Sequence, residues 1–208
     1  MSTRGSVAWR ENGKVVGVYN HFDSYPTSLA VDVWDAAHDD GGLLALVAKL
    51  QAVGDWRELE SMGVCKYCGK KTGQPHSICA ELVMRTPDPA IEYLDPDCNQ
   101  HKHGAGKADQ FDPFIDPLFM EWVYLLDPER NVIEVWSHII ATPLAVKVLE
   151  KAGKQLTNPV SSKQSDNPWT YAHVLVATVD VLDKEPDWHT IERGGDELQN
   201  LVAAYGTA

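Results

Sequence analysis

The feature that most constrains this chain is a pair of cysteines, Cys65 and Cys68, followed at once by Gly69. Two cysteines with this spacing can bring both thiolates to one metal ion from a tight turn, and glycine tolerates the positive φ that such a turn needs. Residues 64–117 are rich in Pro, Gly, Asp, His and Cys and have little periodicity. A loop of that length is unusual in a compact domain. We therefore expect a zinc ion to order the segment.

Structural zinc prefers four Cys or His ligands. Cysteines and histidines that can join Cys65 and Cys68 are His76, Cys79, Cys98, His101 and His103. A local set with His76 and Cys79 is sterically easy. A distant set with His101 and His103, in which Cys98 can replace one histidine, explains better why the segment is ordered. The alternative is that the first two cysteines are unligated thiols beside a turn.

Composition sets the class of protein. The chain has 208 residues, 44% of them hydrophobic, and a net charge of −12. We expect a single domain over residues 1–208, with residues 64–117 as a zinc-knuckle-like insertion. The negative charge disfavours binding to a nucleic-acid backbone or an anionic membrane and allows a basic protein partner. No apolar run would span a bilayer and no signal-peptide core precedes residue 7, so we expect a cytoplasmic protein with reduced cysteines.

Two hairpins and one further strand are predicted. Asn12-Gly13, a strong signal for a type I′ turn, lies within the first hairpin at residues 7–19. Residues 119–126 and 131–140 form the second hairpin around a polar turn. Residues 169–182 are rich in β-branched side chains and form the further strand. The fold class is therefore α+β, an antiparallel sheet packed with helices.

Helices are predicted between these strands. The first follows Pro26, with Thr27 or Ser28 as its cap. The others cover residues 43–53, 56–62, 142–151 and 187–205. We expect Gly194-Gly195 to interrupt the last one, because glycine is a poor helix former.

A polar turn between the first hairpin and the first helix is the candidate catalytic site. Asn20, His21 and Asp23 lie within four consecutive residues, and His21 could act as a general base that Asp23 orients. The adjoining helix N-terminus favours anions. The simpler interpretation is that these side chains make turn hydrogen bonds with the backbone.

Several strings of residues resemble a family of uncharacterised proteins from actinobacterial phages and their hosts. The strings are Arg4-Gly5, Tyr19-Asn20-His21, Asp23-Ser24-Tyr25-Pro26, Leu29, Cys65-x-x-Cys68-Gly69, Pro75-His76-Ser77 and Asp116-Pro117-Leu118-Phe119-x-Glu121-Trp122-Val123-Tyr124. The resemblance implies a cytoplasmic, phage-type accessory protein and brings no activity with it. It draws attention to the turn at residues 20–25 and to Glu121 as a possible site. The candidate ligand-binding residues are Arg4, Tyr25 and Glu121, with Arg4 as the partner of an anion if the protein is an enzyme.

Three functions fit these observations. The first is a zinc-stabilised accessory protein that binds a host or defence component, with Trp9, Trp56 or Trp188 as surface anchors. The second is a hydrolase or nucleotide-processing enzyme in which the turn at residues 20–25 converges with Glu121. The third is a sponge for a small molecule. The sequence leaves all three open, together with the oligomeric state.

Overall fold

The computed structural model describes residues 3–20, 23–38, 41–51, 111–114, 120–157, 160–161 and 170–206. The chain divides into two compact units, Met1–Val47 with Phe111–Ala208, and Ala48–Gln110. Only residues 48–51 of the second unit are described. The predicted helix at residues 56–62 and nearly all of the predicted insertion at residues 64–117 lie outside the described residues.

The first unit contains a mixed sheet. Its strands are β1 (Gly5–Glu11), β2 (Lys14–Asn20), β3 (Trp122–Asp127), β4 (Val132–Ala141), β5 (Val160–Ser161) and β6 (Thr170–Asp180). Their spatial order is β2-β1-β3-β4-β6-β5. Neighbouring strands pair antiparallel except β1 and β3, which are parallel and pair from Gly5 with Trp122 to Trp9 with Leu126.

Both predicted hairpins and the further strand are present, so the α+β class is confirmed. Asn12 and Gly13 have φ values of 52° and 76°, as a type I′ turn requires. The expectation of a purely antiparallel sheet is wrong. The two hairpins meet through β1 and β3, and the orientation in which they meet depends on contacts between residues more than 100 positions apart, which local turn signals do not encode.

Four helices lie in the described part of the chain. They are α1 (Val31–His38), α2 (Gly42–Leu50), α3 (Pro143–Lys151) and α4 (Trp188–Gly206). A π-helical turn, Pro26–Ala30, precedes α1. Its N-cap is Tyr25, which makes no side-chain capping bond, so the predicted cap at Thr27 or Ser28 is wrong. Proline at the first position explains the shift, because it needs no hydrogen-bond acceptor there.

The predicted start of α3 is confirmed. Thr142 is its N-cap, with extended φ and ψ of −71° and 159°, and its side chain accepts a hydrogen bond from the amide of Ala145. Pro143 occupies the first helical position, where its missing N–H costs nothing. Gly153 follows the end of the helix with φ of 72°. The threonine cap, the proline and the closing glycine are local signals, and they were sufficient to predict where α3 begins and ends.

The last helix differs from its prediction. α4 continues through Gly194 and Gly195 without a break. A Cβ at Gly195 would collide with the ring of Trp122 and lie 3.2 Å from Oγ of Ser137. The glycine therefore allows α4 to approach the sheet closely, which offsets its low helix propensity.

The sheet has two buried faces of different character. The side of the sheet that packs on α3 and α4 is called the helix face. Its apolar cluster contains Ile139, Ala141, Ala145, Val146, Leu149, Ala172, Val174, Leu198 and Val202. We call the other side the second face, with a cluster of Ala8, Met120, Val123, Leu125 and Trp136, against which Phe111 and Phe114 pack. Alternation of side chains along each strand separates the two clusters.

Two of the expected surface tryptophans are in fact buried. Trp9 is 1% exposed and Trp188 is 5% exposed. Trp188 packs edge-on against Trp34 and donates from Nε1 to Glu185 at 2.9 Å. These two residues contribute to the core and are not anchors for a partner, and Trp56 lies outside the described residues. Among the described helices, none is both long and apolar enough to cross a membrane.

Candidate functional site

The polar turn after β2 is built around Ser24. Asn20 is 3% exposed, and its Nδ2 donates to Oγ of Ser24 at 2.8 Å. The hydroxyl of Ser24 donates in turn to the carbonyl of Asn20 at 3.3 Å, and Tyr124 donates from its hydroxyl to the carbonyl of Ser24 at 2.7 Å. Ser24 itself is fully buried. The amide of Asn20 therefore fixes the shape of the turn, in keeping with the simpler interpretation of this segment.

The other members of the turn have different places. Asp23 is exposed and has φ of 51°, a left-handed conformation that aspartate tolerates better than most residues. Tyr25 is half-buried and extended, with φ of −65° and ψ of 154°, as the N-cap of the π-helical turn. His21 lies outside the described residues. Of the described turn residues, Asp23 and Tyr25 are the ones that a partner could reach.

Strand pairing brings Arg4 and Glu121 to the same end of the sheet as this turn. Gly5 pairs with Asn20 on one side and with Trp122 on the other. The carbonyl of Arg4 accepts from the amide of Glu121 at 2.9 Å. Glu121 is exposed and Arg4 is half-buried. The start of β1, the end of β2 and the start of β3 therefore lie together and carry most of the candidate site residues predicted from the sequence.

Gly5 is what allows the turn to sit so close to the sheet. A Cβ at Gly5 would lie 2.6 Å from Cβ of Ser24 and 2.9 Å from the carbonyl oxygen of Trp122. Both neighbours are held in place, Ser24 by its hydrogen bonds and Trp122 by strand pairing. A larger residue at position 5 would therefore push the turn away from the sheet.

A second polar contact supports the turn from the helix side. The carboxylate of Glu192 on α4 accepts from the hydroxyl of Thr27 at 2.7 Å and from its amide at 3.3 Å. Burial, followed by the charge of Glu192, raises the pKa of Tyr124 well above its usual range. Tyr124 therefore stays protonated and acts as a hydrogen-bond donor to Ser24 at any physiological pH.

The second face carries a pair of buried histidines that the sequence did not reveal. His138 on β4 lies directly opposite His173 on β6, with ring centroids 5.7 Å apart and the planes at 62°. His173 is fully buried and His138 is 8% exposed. Nε2 of His173 lies 2.7 Å from the carbonyl oxygen of Met120. Within the described structure, Nδ1 of His173 and Nε2 of His138 are buried and have no hydrogen-bond partner.

Aromatic rings surround this histidine pair. Phe114 packs edge-on against His173 at 5.3 Å between centroids, and Tyr171 stacks on His138 at 6.1 Å. Burial lowers the pKa of His138 to about 4. Burial also lowers the pKa of His173 to about 3, against an opposing effect of its bond to Met120 and with a further decrease from His138. Both imidazoles are therefore neutral at pH 7, the form that acts as a base or binds a metal.

A weak sequence signal for this pair exists. Each histidine lies in a strand composed mostly of apolar and β-branched residues, and a polar residue in such a position marks either a hydrogen-bonded core residue or a site. The signal does not show that the two residues face each other. That follows only from the register of β4 against β6, which includes a bulge between Val135 and Trp136.

The predicted zinc ligands Cys65, Cys68, His76, Cys79, His101 and His103 all lie outside the described residues. In the ranges that are described, no three His, Cys, Asp or Glu side chains come together as a metal site. Comparison with known proteins gives no matching family model, no matching curated protein and no matching solved structure.

Proposed function

We propose that this protein is a zinc-stabilised accessory protein of phage type that acts in the cytoplasm by binding a protein partner. The observation that carries the proposal is the hydrogen bonding of Asn20. Its side chain holds Ser24 inside the turn, while the neighbouring Asp23 is displayed to solvent. The amide of Asn20 is used to support the turn, and Asp23 is presented to solvent on a fixed backbone. This arrangement suits the binding of a partner better than catalysis.

The surface proposed for binding consists of Arg4, Asp23, Tyr25 and Glu121, which we call the strand-end surface. Tyrosine and arginine are the residue types that most often dominate binding energy at interfaces. The backbone under them is fixed by strand pairing and by the bonds of Ser24, so little conformational entropy is lost when a partner binds. A preorganised surface of this kind needs few contacts to be specific.

The nature of the partner is inferred from charge. With a net charge of −12, the chain attracts a basic protein over long range and repels nucleic-acid backbones. Cytoplasmic, phage-type action rests on the resemblance and on the cysteine pair, whose thiolates bind metal only when reduced. Zinc is proposed from the spacing of Cys65 and Cys68.

Site-specific photo-crosslinking tests the binding surface. A photoreactive phenylalanine analogue is placed at Tyr25 and, as a matched control, at Lys154, which is exposed after α3. Both proteins are irradiated in an extract of a candidate actinobacterial host. We expect one discrete crosslinked partner from position 25, competed by excess unlabelled protein, and none from position 154. Equal crosslinking at the two positions, or none at position 25, would contradict the proposal.

The zinc part has its own test. We expect about one zinc per chain by elemental analysis, and a marked fall in melting temperature for Cys65→Ser, because structural zinc binding is coupled to folding. Ser2→Ala, a polar residue far from the cysteines in sequence, is the control and should leave both values unchanged. A folded, metal-free protein would remove zinc from the proposal and leave the binding surface to be judged separately.

A second candidate function is a hydrolase or nucleotide-processing enzyme. The observation that favours it is the hydrogen bond from the amide of Glu121 to the carbonyl of Arg4, which brings an acidic and a basic residue to the same end of the sheet as the turn. In that case His21→Ala should fold normally and abolish turnover of a nucleotide or ester. Bound but unaltered nucleotide in the wild-type protein would instead favour the small-molecule sponge.

A further inference from the structure

The histidine pair on the second face has the features of a metal site. His173 lies with Nε2 against the carbonyl of Met120, which fixes the proton on Nε2 and leaves a lone pair on Nδ1. Histidines that bind metals usually donate their other ring N–H to a carbonyl or carboxylate, because this fixes the tautomer and the ring orientation. His173 therefore already has the arrangement of a ligand.

The two ring nitrogens without partners need an explanation. A buried nitrogen without a hydrogen bond costs free energy, and here two belong to residues directly opposite each other in the sheet. Nε2 of His138 carries a lone pair when Nδ1 holds the proton. From these observations we infer that His138 and His173 form a two-imidazole site for a soft cation of low charge, the cuprous ion.

The spacing of the rings fits such an ion. Bonds from a metal to imidazole nitrogen are about 2 Å long, so two rings that share one ion have their centroids no more than about 6 Å apart. The observed separation is 5.7 Å. No direct hydrogen bond joins the two rings, so neither of these nitrogens is used within the pair.

Charge and coordination number select the ion. The cost of burying an ion rises with the square of its charge, and in the described part of the chain no carboxylate pairs with either ring. A divalent ion would bring two positive charges into this apolar setting and would seek four or more ligands. The cuprous ion has a single charge and accepts as few as two ligands, and imidazole is a suitable ligand for copper. Zinc and nickel are correspondingly disfavoured.

The experiment follows the histidine rings directly. Long-range nitrogen–proton NMR spectra of the zinc-loaded, intact protein are recorded during anaerobic titration with cuprous ion, and separately with silver(I) as a redox-inert substitute. We expect one equivalent to shift the ring signals of His138 and His173 and to leave those of His189, an exposed residue on α4, unchanged. Copper held only by the cysteines would shift neither ring of the pair, and that result would overturn the inference.

Variants then measure the contribution of each ligand. His173→Gln keeps a donor for the carbonyl of Met120 but cannot bind the ion as imidazole does, and His138→Gln is its counterpart on β4. Each should weaken cuprous binding at the pair by more than about 100-fold, since even loss of a supporting residue usually costs 10–100-fold. His189→Gln should have no effect. Equal affinities in all three variants would contradict the site, and the wild-type spectra decide the matter if a variant does not fold.

Discussion

The two faces of the sheet each carry an apolar cluster but differ in chemistry. The cluster on the helix face is apolar throughout, from Ile139 and Val174 on the strands to Leu198 on α4. The second face interleaves its apolar cluster with Glu134, His138 and His173, all less than a tenth exposed. Hydrophobic burial stabilises a fold most simply when no polar group is buried with it. The apolar cluster of the helix face therefore supports the fold, whereas the buried carboxylate of Glu134 and the two buried imidazoles lie on the second face.

Within the second face the polar groups are not equivalent. The carboxylate of Glu134 accepts from Nε1 of Trp136 at 3.2 Å and from Nη1 of Arg130 at 3.1 Å. Within the described residues, the two histidine rings make one hydrogen bond, to Met120, and two of their buried nitrogens make none. A buried group whose partners are all supplied by the fold is explained by structure alone. A buried group that lacks them requires a further partner, either an ordered water or a ligand.

The largest effect predicted from this contrast is on the helix face. Ile139→Ala should lower the free energy of unfolding by about 4 to 5 kcal/mol, because the side chain is fully buried in a well-packed cluster and its removal leaves a cavity. Urea denaturation followed by circular dichroism gives the value.

The next residue on the same strand is the matched control. Ile140 points to the other side and is 42% exposed, so Ile140→Ala should cost less than about 1 kcal/mol. If the two substitutions cost the same, the assignment of Ile139 to the supporting face would be wrong and the comparison of faces would lose its basis.

The second prediction concerns pH and the histidine pair. An unfolded histidine has a pKa of about 6.5, whereas burial lowers the pKa of His138 to about 4 and that of His173 to about 3. Between these values the unfolded chain binds more protons than the folded one, so stability is fully present above pH 6.5 and is lost as the pH falls. From pH 7 to pH 5 the loss should be about 2 kcal/mol for each ring.

Denaturation curves at a series of pH values, in zinc-saturated and copper-free buffer, measure this loss. The control is the double variant His138→Gln and His173→Gln, whose stability should fall less between pH 7 and pH 5 by the contribution of the two rings. Tyr171, whose ring stacks on His138 at 6.1 Å between centroids, is present in both proteins. Identical pH profiles for wild type and double variant would show that the rings are not buried as neutral groups.

Sequence reasoning succeeded where the signal was local. Asn12-Gly13 identified the first hairpin, and Thr142 with Pro143 identified the start of α3, because a turn or a cap is specified by residues that are neighbours in the chain. It failed at α4, where Gly195 is required by the ring of Trp122, a residue more than 70 positions earlier. Local propensity cannot contain that information.

The candidate sites divide in the same way. The turn at residues 20–25 was found because its polar residues are adjacent in sequence, but the role of Asn20 depended on the buried hydroxyls of Ser24 and Tyr124. The histidine pair was missed because His138 and His173 are 35 positions apart and meet only through strand register. The register of β4 against β6 must be known before these two residues can be recognised as neighbours.

The smallest predicted effect tests whether Glu134 is a purely structural group. Arg130 lies 3.1 Å from its carboxylate and 3.5 Å from that of Asp127, whereas Arg10 lies 3.9 Å away, and the two arginine side chains are 58% and 56% exposed. Arg130→Ala should cost about 1 kcal/mol and Arg10→Ala less than about 0.5 kcal/mol, because exposed ion pairs are weak and screened by salt. Thermal denaturation at low and high salt separates the two values. A cost of several kcal/mol for Arg130→Ala would mean that a buried charge depends on a single partner, as in a desolvated ion pair. The polar groups of the second face would then stabilise the fold as strongly as the apolar residues of the helix face. Only the binding of a metal ion would then distinguish the histidine pair from Glu134.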